Sequence, residues 1–473
     1  MMKKNDIVTL EITSLTGEGS GVGHCSEEGG MTVFVPLTAV GDVISCRIVK
    51  VMKSYAYGKA ERIITPSSDR VDSGCPVYGK CGGCCFRHIS YEAELRAKED
   101  FVRDAFERIG HISADFLPII GSDAVDGYRN KAQYPIGKND AGEVVCGFFG
   151  SHSHRIVPCT DCRLQPKIFA EILKTITDFV RENHISVYDE KKHEGVLRHI
   201  CLRRGHYSEE INVTLVARRR IPEFLPLARL LMERFGQVKG VVLSLNKDRT
   251  NVILGSEEIV LAGSAQITDT MCANKITISP KSFYQVNTPA AERLYGVAKE
   301  FAQPLGKTVL DLYCGAGTIG LSMADSAREI IGVEIVQSAV ENARNNAAAN
   351  GVENISFICG DAGQVTTRLV DLGKSADVVV VDPARKGCDM ATLDNIVAFA
   401  PERIVMVSCN PATAARDCAA LERKGYRTQK IQAVDLFPRT GNVECVSLLS
   451  RRGIEKTVGM ECKFRFIVPN LTQ

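Results

Sequence analysis

The residues best suited to chemistry lie at Ser408-Cys409-Asn410-Pro411. The apolar run Ile404-Val405-Met406-Val407 before them predicts a short buried strand, and Pro411 is typical of the first position of a helix. Amide groups at a helix start carry partial positive charge, which favours the thiolate of Cys409, the reactive form of a cysteine. The alternative is an inert buried thiol, as most cysteines are.

A second group of cysteines has the spacing of a metal site. Cys75, Cys81 and Cys84 lie close together with glycines between the last two, and a distant Cys159-x-x-Cys162 pair could complete the set. Thiolates so close in sequence can converge on one centre, which suits structural zinc as well as an iron–sulfur cluster. Cys85, directly after Cys84, is an additional cysteine beyond this set. The pattern therefore predicts a metal centre and leaves the metal open.

The chain from about residue 275 alternates short strands with helices, which is typical of a parallel α/β sheet. The apolar strand Thr308–Leu312 precedes a glycine-rich turn that begins at Gly315, and Glu334 ends the next strand close to twenty residues later. Glycines let the backbone approach a ligand, and the later carboxylate can accept hydrogen bonds from a ribose. This much fits a dinucleotide dehydrogenase as well as an S-adenosylmethionine site.

Two further strand ends favour the methyltransferase. Asp361 follows a third strand and puts a carboxylate where the adenine amino group lies in a methyltransferase sheet. A fourth strand, 377–381, leads into Asp382-Pro383-Ala384-Arg385 at the edge where ligands bind. Amino-group methyltransferases prefer Asn/Asp-Pro-Pro-aromatic here, so Ala384 and Arg385 argue against an exocyclic nitrogen as methyl acceptor.

Whole-chain properties exclude several classes of protein. The 473 residues, 45% hydrophobic and 24% charged, predict a globular protein of several domains. No run has signal-peptide character or the ~20 apolar residues of a membrane span, so we expect a cytoplasmic protein without membrane association. Eighteen cysteines are too few for a disulfide framework, and a net charge of +2 gives no global attraction to nucleic acid. No feature indicates an obligate protein partner.

The N-terminal residues predict short strands at 7–12, 31–35, 42–49 and 55–63, separated by glycine turns and typical of a small barrel. This stretch resembles a TRAM domain, an OB-like module that binds RNA. The resemblance makes four cations candidate contacts to an RNA backbone: Lys50, Lys53, Lys59 and Arg62. A barrel with a purely structural role is the alternative.

The region between barrel and sheet begins with a predicted packing helix over 90–110, capped by Ser90, with Ile109 at the end of its apolar face. Beyond it, basic side chains recur beside predicted strands, at Tyr128-Arg129-Asn130-Lys131, 198–204 and 218–220. They suit phosphate contacts, although solvated surface charge explains each of them equally well. Arg385 and Arg439, near strand ends, are further candidates for phosphate contacts.

Several motifs together resemble the RNA (uracil-5-)-methyltransferases, the TrmA/RumA group, from the barrel to about Ser450. The motifs are Ser282-Phe283-Tyr284-Gln285-Val286-Asn287, Asp311-Leu312-Tyr313-Cys314-Gly315, Val333-Glu334, Val381-Asp382-Pro383, Ser408-Cys409-Asn410-Pro411 and Val443-Glu444. The resemblance implies methyl transfer from S-adenosylmethionine to uracil C5. Its cofactor site would hold Gln285, Tyr313, Glu334 and Asp382, beside Gly315 and Asp361.

The chemistry implied by this resemblance needs a nucleophile and a base. Uracil C5 is a weak carbon nucleophile, so Cys409 would first attack C6 and add electron density to the ring. After methyl transfer Glu444 would remove the C5 proton, which allows the cysteine to be eliminated. An ordinary strand-end carboxylate is the alternative reading of Glu444. The target base must be unstacked or flipped for this attack.

The cysteine pattern looks like the 4Fe–4S site of one branch of this family, which implies Cys75, Cys81, Cys84 and Cys162 as ligands. Cys162 is preferred to Cys159 because the family's last ligand precedes a segment containing Leu and Pro, here 163–166. This branch suggests 23S rRNA as substrate, with tRNA as the alternative.

Two rival functions explain less of the chain. A nicotinamide-dependent iron–sulfur oxidoreductase leaves Cys409 and Glu444 unexplained. A non-catalytic RNA-binding module has no use for Glu334 and Asp382.

The predicted fold is therefore α/β with three parts. An OB-like β-barrel (TRAM) occupies 1–66, and a mixed α+β central domain with the iron–sulfur cysteines occupies 67–270. A Rossmann-like S-adenosylmethionine-dependent methyltransferase domain occupies 271–450, and the helix over 90–110 is a candidate to pack on it. The extension 451–473 is unassigned.

Overall fold

The computed structural model describes residues 2–25, 30–151 and 153–453, so the extension 451–473 lies outside the described residues from 454 onward. The first strands are β1 (Ile7–Leu15), β2 (Ser20–Cys25), β3 (Met31–Pro36), β4 (Val43–Val51) and β5 (Tyr55–Thr65). They close into a barrel in the order β1-β2-β3-β5-β4, which confirms the predicted small barrel. Alternate side chains fill its interior, including Ile12, Val33 and Ile44.

Helix α1 (Tyr91–Asp104) follows the cysteine-bearing segment and begins at Ser90, whose side chain accepts a hydrogen bond from the Ala93 amide. The predicted helix over 90–110 is wrong in its last turn, because 105–110 form a π-helical turn. The wider turn shifts the phase of the side chains. Phe106 is therefore buried, whereas Ile109 is 54% exposed.

The central domain contains a seven-stranded sheet covered on one face by two helices. Its elements, after β6 (Asp115–Ile120), are β7 (Lys131–Lys138), β8 (Val144–Phe149), β9 (Ile156–Pro158), α2 (Ile168–Glu182), β10 (Leu197–Arg204), β11 (Ile211–Ala217), α3 (Phe224–Arg234), β12 (Val238–Leu245) and β13 (Glu257–Gly263). The strand order is β13-β12-β11-β10-β7-β8-β9. The hairpin β14 (Ile267–Met271) and β15 (Asn274–Ile278) follows.

The C-terminal part is an α/β sheet with helices on both faces. Its elements are α4 (Thr288–Ala302), β16 (Thr308–Leu312), α5 (Thr318–Met323), β17 (Glu329–Glu334), α6 (Gln337–Ala349), β18 (Ile355–Cys359), α7 (Ala362–Asp371), β19 (Val378–Val381), α8 (Met390–Ala398), β20 (Arg403–Ser408), α9 (Pro411–Arg423), β21 (Tyr426–Val434) and β22 (Glu444–Arg451). Strands β16 to β20 are parallel to one another, and β22 is antiparallel to β20 and β21. This architecture confirms the predicted Rossmann-like domain.

The eight strands of this sheet have the order β18-β17-β16-β19-β20-β22-β21-β6. Strand β6 pairs in parallel with β21 at the edge of the sheet, although its residues fall within the predicted central domain 67–270. Edge pairing thus joins β6 to the methyltransferase sheet, and α1, the predicted candidate to pack on that domain, contacts β6 and β21. No helix in the described ranges is long and apolar enough to span a membrane.

A buried ion cluster attaches α1 to the segment between β21 and β22. Lys98 Nζ donates to Glu94 Oε1 at 2.7 Å and to Asp435 Oδ1 at 2.8 Å, and all three side chains are fully buried. Lys98 also donates to the Phe437 carbonyl at 3.1 Å, and the Tyr91 hydroxyl donates to Asp435 Oδ2 at 2.8 Å. Removing the cation would leave two buried carboxylates without their principal partner.

We expect Lys98→Ala to lower the free energy of unfolding by about 3–5 kcal/mol, because breaking a buried pair leaves an uncompensated charge. Urea unfolding measures the change. The matched control is Lys174→Ala, which removes an exposed pair with Asp178 and should cost less than about 1 kcal/mol. Equal effects of the two substitutions would contradict the role assigned to the cluster.

Candidate active site

The carboxyl ends of the parallel strands bring the predicted site residues to one edge of the sheet. Tyr313 follows β16, Glu334 ends β17, Asp361 follows β18, Asp382 follows β19 and Cys409 follows β20. The strand order reverses between β16 and β19, and ligands of open α/β sheets bind outside such a reversal. The five residues therefore lie along one edge of the sheet.

The glycine-rich turn after β16 positions the carboxylate of Glu334. The Gly315 amide donates to Glu334 Oε2 at 3.1 Å, and the Val336 amide donates to Oε1 at 2.9 Å. Gly317 has φ 79°, and a Cβ there would lie 2.9 Å from the ring of Phe357. The turn thus requires glycine at this point, both for its left-handed backbone and for its close packing.

Two aspartates lie beneath this turn, of which Asp311 is buried and Asp382 is half-buried. Burial raises the pKa of Asp382 to about 7, and burial together with the charge of Asp382 raises the pKa of Asp311 to about 7. Asp311 Oδ2 accepts a hydrogen bond from the Gly320 amide at 3.0 Å, while its Oδ1 is buried without a partner. The site is thus poor in water and rich in carboxyl groups, an environment suited to a cationic ligand.

Gln285 approaches the same edge of the sheet from the segment before α4. Its side chain is hydrogen-bonded to the hydroxyl of Tyr295, which also accepts a hydrogen bond from Thr318 Oγ1 at 3.2 Å. Tyr295 was missed by the sequence analysis, because an aromatic residue on a helix face is usually part of a core. Asp361 is the N-cap of α7, and its Oδ1 accepts a hydrogen bond from the Gln364 amide at 3.1 Å.

Cys409 lies in the turn between β20 and α9, and its thiol is half-buried. Asn410 caps α9 by accepting a hydrogen bond from the Ala412 amide at 3.1 Å. Burial raises the pKa of Cys409, and the neighbouring Glu444 raises it further. The pKa is not lowered as the helix-start argument predicts, because desolvation outweighs the helix amides.

Glu444 is brought beside Cys409 by strand pairing. β22 is antiparallel to β20 with Ser408 opposite Cys445, so Glu444 lies across from Cys409. Glu444 is 4% exposed, and burial together with the charge of Asp382 raises its pKa to about 8. A carboxyl group with such a pKa exchanges its proton near neutral pH.

Arg385 is a site residue whose role the sequence analysis did not identify. Its guanidinium is hydrogen-bonded to the Cys409 thiol and lowers the pKa of that thiol. Its Nη2 also donates to Asn442 Oδ1 at 3.1 Å, and its carbonyl accepts a hydrogen bond from Asn410 Nδ2 at 3.1 Å. The guanidinium thus offers a positive charge to the thiolate.

Two segments predicted to meet phosphates make internal contacts instead, through Arg439 in one and through Tyr128 and Asn130 in the other. Arg439 donates to the Ile89 carbonyl at 3.0 Å and lies against Glu94, with 12% of its side chain exposed. Asn130, in the Tyr-Arg-Asn-Lys segment, donates to the Gln285 carbonyl at 2.9 Å, and the Tyr128 hydroxyl donates to the Pro438 carbonyl at 2.9 Å. Tyr128 and Asn130 therefore join the central domain to the catalytic domain.

Cys409 opens into a cavity of about 540 Å³ between three parts of the molecule. The barrel contributes 15–17, the end of α1 contributes Phe101, and the catalytic domain contributes Arg385 and Asn442. A planar base that enters this cavity from outside the sheet would meet the thiol.

The five cysteines of the predicted metal site lie near one another. Burial raises the pKa values of Cys81 and Cys84. Charge on Cys75 and Cys162 raises that of Cys81 further, and charge on Cys162 also raises that of Cys84. A hydrogen bond from the Cys159 thiol lowers the pKa of Cys162 to about 7. In the ranges that the structure describes, no three Cys, His, Asp or Glu side chains have the arrangement of a metal site.

The donor set nevertheless suits an iron–sulfur cluster. Fe–S clusters are held by thiolates and tuned by hydrogen bonds to the sulfurs. Here the Gly83 amide donates to Cys81 Sγ at 3.4 Å, and Arg87 is hydrogen-bonded to the Cys84 thiol.

A model of the family described as tRNA (uracil-5-)-methyltransferase matches residues 90–452. The chain belongs to this family. An uncharacterized RNA methyltransferase of Halalkalibacterium halodurans is 43% identical over 95% of this chain and 98% of the relative. One of Clostridium tetani is 41% identical over 96% of this chain and 98% of the relative. The family resemblance stated from the motifs is confirmed.

A solved structure extends the likeness to the whole fold. The tRNA (uracil-54, C5)-methyltransferase of Pyrococcus abyssi, in complex with S-adenosyl-L-homocysteine, matches with a TM-score of 0.76 and 28% identity, over 93% of this chain and 100% of that one. The chain is thus an S-adenosylmethionine-dependent RNA methyltransferase of the uracil-5 family. The cofactor predicted from the glycine turn and strand ends is confirmed.

The buried Glu444 predicts a pH-dependent stability. Its pKa rises from 4.5 to about 8 on folding, so between these values the folded state holds a proton that the unfolded state releases, and stability falls as pH rises. Glu444→Gln removes this contribution. From about pH 5 to about pH 8, the variant should therefore gain on the order of 3 kcal/mol relative to wild type in urea unfolding.

Glu341→Gln, on the exposed face of α6, is the matched control and should follow the wild type at every pH. A Glu444→Gln difference that stays constant across the range would contradict the raised pKa.

Proposed function

We propose that this protein transfers a methyl group from S-adenosylmethionine to C5 of a uridine in RNA, through a covalent bond between Cys409 and C6. The observation that carries the proposal is the pair of Cys409 and Arg385 on the wall of the cavity of about 540 Å³, with the buried Glu444 beside Cys409 on the paired strand. A thiol beside a guanidinium and a carboxyl group with a raised pKa supplies the nucleophile and the base that C5 methylation needs.

In this mechanism Arg385 stabilises Cys409 as the thiolate, which attacks C6 and moves electron density to C5. S-adenosylmethionine supplies an electrophilic methyl group when it is bound. Glu444, as the carboxylate, removes the C5 proton, the C6–S bond breaks, and Cys409 leaves as the thiolate. Glu444 must lose its own proton first, and a pKa near 8 makes this possible close to neutral pH.

The cofactor would be held by Gln285, Tyr313, Glu334, Asp361 and Asp382, with Gly315 orienting Glu334. The buried carboxyl groups favour a positively charged sulfonium over its neutral product. Tyr295 would position Gln285 through their hydrogen bond.

We propose two RNA classes as substrates, each supported by a different observation. The four cysteines Cys75, Cys81, Cys84 and Cys162 resemble the pattern of the family branch that suggests 23S rRNA. The likeness to the Pyrococcus abyssi tRNA enzyme favours tRNA. The barrel would contact the RNA backbone through Lys50, Lys53, Lys59 and Arg62.

The deciding experiment incubates the protein with labelled S-adenosylmethionine and total RNA from a strain that lacks the gene. We expect label in 5-methyluridine, and separating the RNA by size assigns it to 23S rRNA or to tRNA. Cys409→Ala should abolish incorporation with cofactor affinity unchanged, because it removes the nucleophile and leaves the strand-end carboxylates in place. Cys359→Ala, an exposed thiol, is the matched control.

In the same assay Glu444→Gln should stop after methyl transfer, because the C5 proton cannot be removed, and a protein–RNA adduct should survive denaturing electrophoresis. Turnover by Cys409→Ala would refute the covalent mechanism. Normal turnover by Glu444→Gln without an adduct would refute its role as base.

We also propose that Cys75, Cys81, Cys84 and Cys162 hold a 4Fe–4S cluster. Protein purified without oxygen should carry about four irons per chain with visible charge-transfer absorption. Cys162→Ser should lose the iron, whereas Cys159→Ser and Cys85→Ser should retain it, since neither is a proposed ligand. A colourless, iron-free wild type would refute the cluster, and iron lost only from Cys159→Ser would reassign the fourth ligand.

A further inference from the structure

The central domain contains a second cavity, of about 670 Å³, which shares no lining residue with the cavity at Cys409. We call it the central groove. One wall is the β8–β9 hairpin with Phe149 and His154, the other is the segment that contains Tyr188, and β10 contributes His199.

His199 is the central groove's most unusual side chain. It is 8% exposed, and its Nδ1 is buried without a hydrogen-bond partner. Burial and the charge of Arg198 lower its pKa to about 4, so the imidazole is neutral at physiological pH. A neutral imidazole offers one donor and one acceptor, which matches the edge of a nucleobase better than a phosphate. A buried unpaired nitrogen is unfavourable, so the His199 ring on the wall of the groove keeps an unused hydrogen-bonding capacity.

Flat side chains line both walls of the central groove. The rings of Phe149 and His154 are stacked with centroids 5.1 Å apart, and Arg198 lies 4.4 Å from the centre of the Tyr188 ring. Such planar surfaces are the usual platform for an unstacked base. His154 Nδ1 lies 2.8 Å from Glu190 Oε2 and so connects the two walls.

The charged side chains around the central groove have a small excess of cations. Lys138, Arg155, Lys191 and Arg198 stand against the carboxylates of Asp140, Asp189 and Glu190. Asp189 accepts hydrogen bonds from the Lys191 and Lys192 amides, and Glu190 contacts His154. Cations next to a base platform suit the phosphates on either side of a bound nucleotide.

The cysteine-bearing segment supports the hairpin wall. The Gly82 amide donates to the Phe149 carbonyl at 3.1 Å, and Cys81 forms a β-bridge with Gly150. The Cys159 amide donates to the Cys146 carbonyl at 3.1 Å. The wall is therefore fixed before any ligand binds, which lowers the entropic cost of binding.

We propose that the central groove binds an unstacked nucleotide of the RNA substrate, separate from the uridine at Cys409, and thereby contributes to substrate selection. The proposal rests on the proposed function for the identity of the ligand as RNA. It makes no use of the methylation chemistry, so binding can be measured independently.

The test uses the full-length protein and a fluorescently labelled single-stranded RNA of about 20 nucleotides, with affinity measured by anisotropy at several salt concentrations. We expect Phe149→Ala and His199→Ala to weaken binding roughly tenfold, and His199→Gln to retain most of the affinity because it keeps a donor and an acceptor. Arg155→Ala should also lower the slope of log affinity against log salt by about 0.7, the value for one phosphate on a single strand. Arg229→Ala, exposed on α3 and outside the groove, is the matched control.

Ultraviolet crosslinking of the same RNA to the wild type should yield crosslinked peptides from β8–β9 or β10. In the methylation assay, the groove variants should raise KM for RNA with kcat and S-adenosylmethionine affinity unchanged, which shows that they are folded. If both Phe149→Ala and His199→Ala bind RNA with wild-type affinity, or if crosslinks are confined to other segments, the proposal that the central groove binds RNA is refuted. A wild type that binds RNA through the groove but methylates none would refute the proposed function alone.

Discussion

The buried ion cluster of Lys98, Glu94 and Asp435 determines where the active site forms, because it fixes the segment 435–443 that leads into Glu444. The Arg439 amide donates to Glu94 at 2.6 Å, and the Arg439 carbonyl accepts hydrogen bonds from the amides of Cys85 and Phe86. A Cβ on Gly441 would lie 1.7 Å from the Gly17 carbonyl oxygen, so the barrel packs directly on the same segment. Helix, cysteine segment and barrel thus meet at one loop, and a shift in any of them would displace Asn442 and Glu444.

Desolvation dominates the electrostatics of the site. Burial is the largest cause of the raised pKa values of Asp311, Asp382 and Glu444, and it also raises the pKa of Cys409. A protein interior tolerates such a group of acids only if they are protonated or matched by positive charge. A cationic sulfonium in the crevice would supply that charge next to Asp382, so cofactor binding and deprotonation of the carboxyl groups favour each other.

The sequence was sufficient to predict the site residues whose positions follow from a local pattern. Strand ends, the glycine turn and the order of Glu334, Asp382 and Cys409 follow from periodicity and turn residues, and the structure places them at one edge. The sequence was insufficient where a contact joins distant segments. Strand β6 pairs with β21 across more than 300 residues, and Arg439 is buried by Glu94 from another element. A local pattern of basic residues cannot distinguish such an internal cation from a phosphate contact.

Arg385 shows how a departure from a motif can indicate a different reaction. An aromatic residue after Asp-Pro-Pro would stack on a base and present its amino group, whereas the guanidinium of Arg385 reaches the Cys409 thiol and Asn442. Burial and Glu444 both raise the pKa of that thiol, and the charge of Arg385 lowers it. In the proposed mechanism, the end of the fourth strand therefore serves the nucleophile. A guanidinium there, in place of the aromatic residue, matches the need of that mechanism to stabilise a thiolate in a site dominated by carboxyl groups.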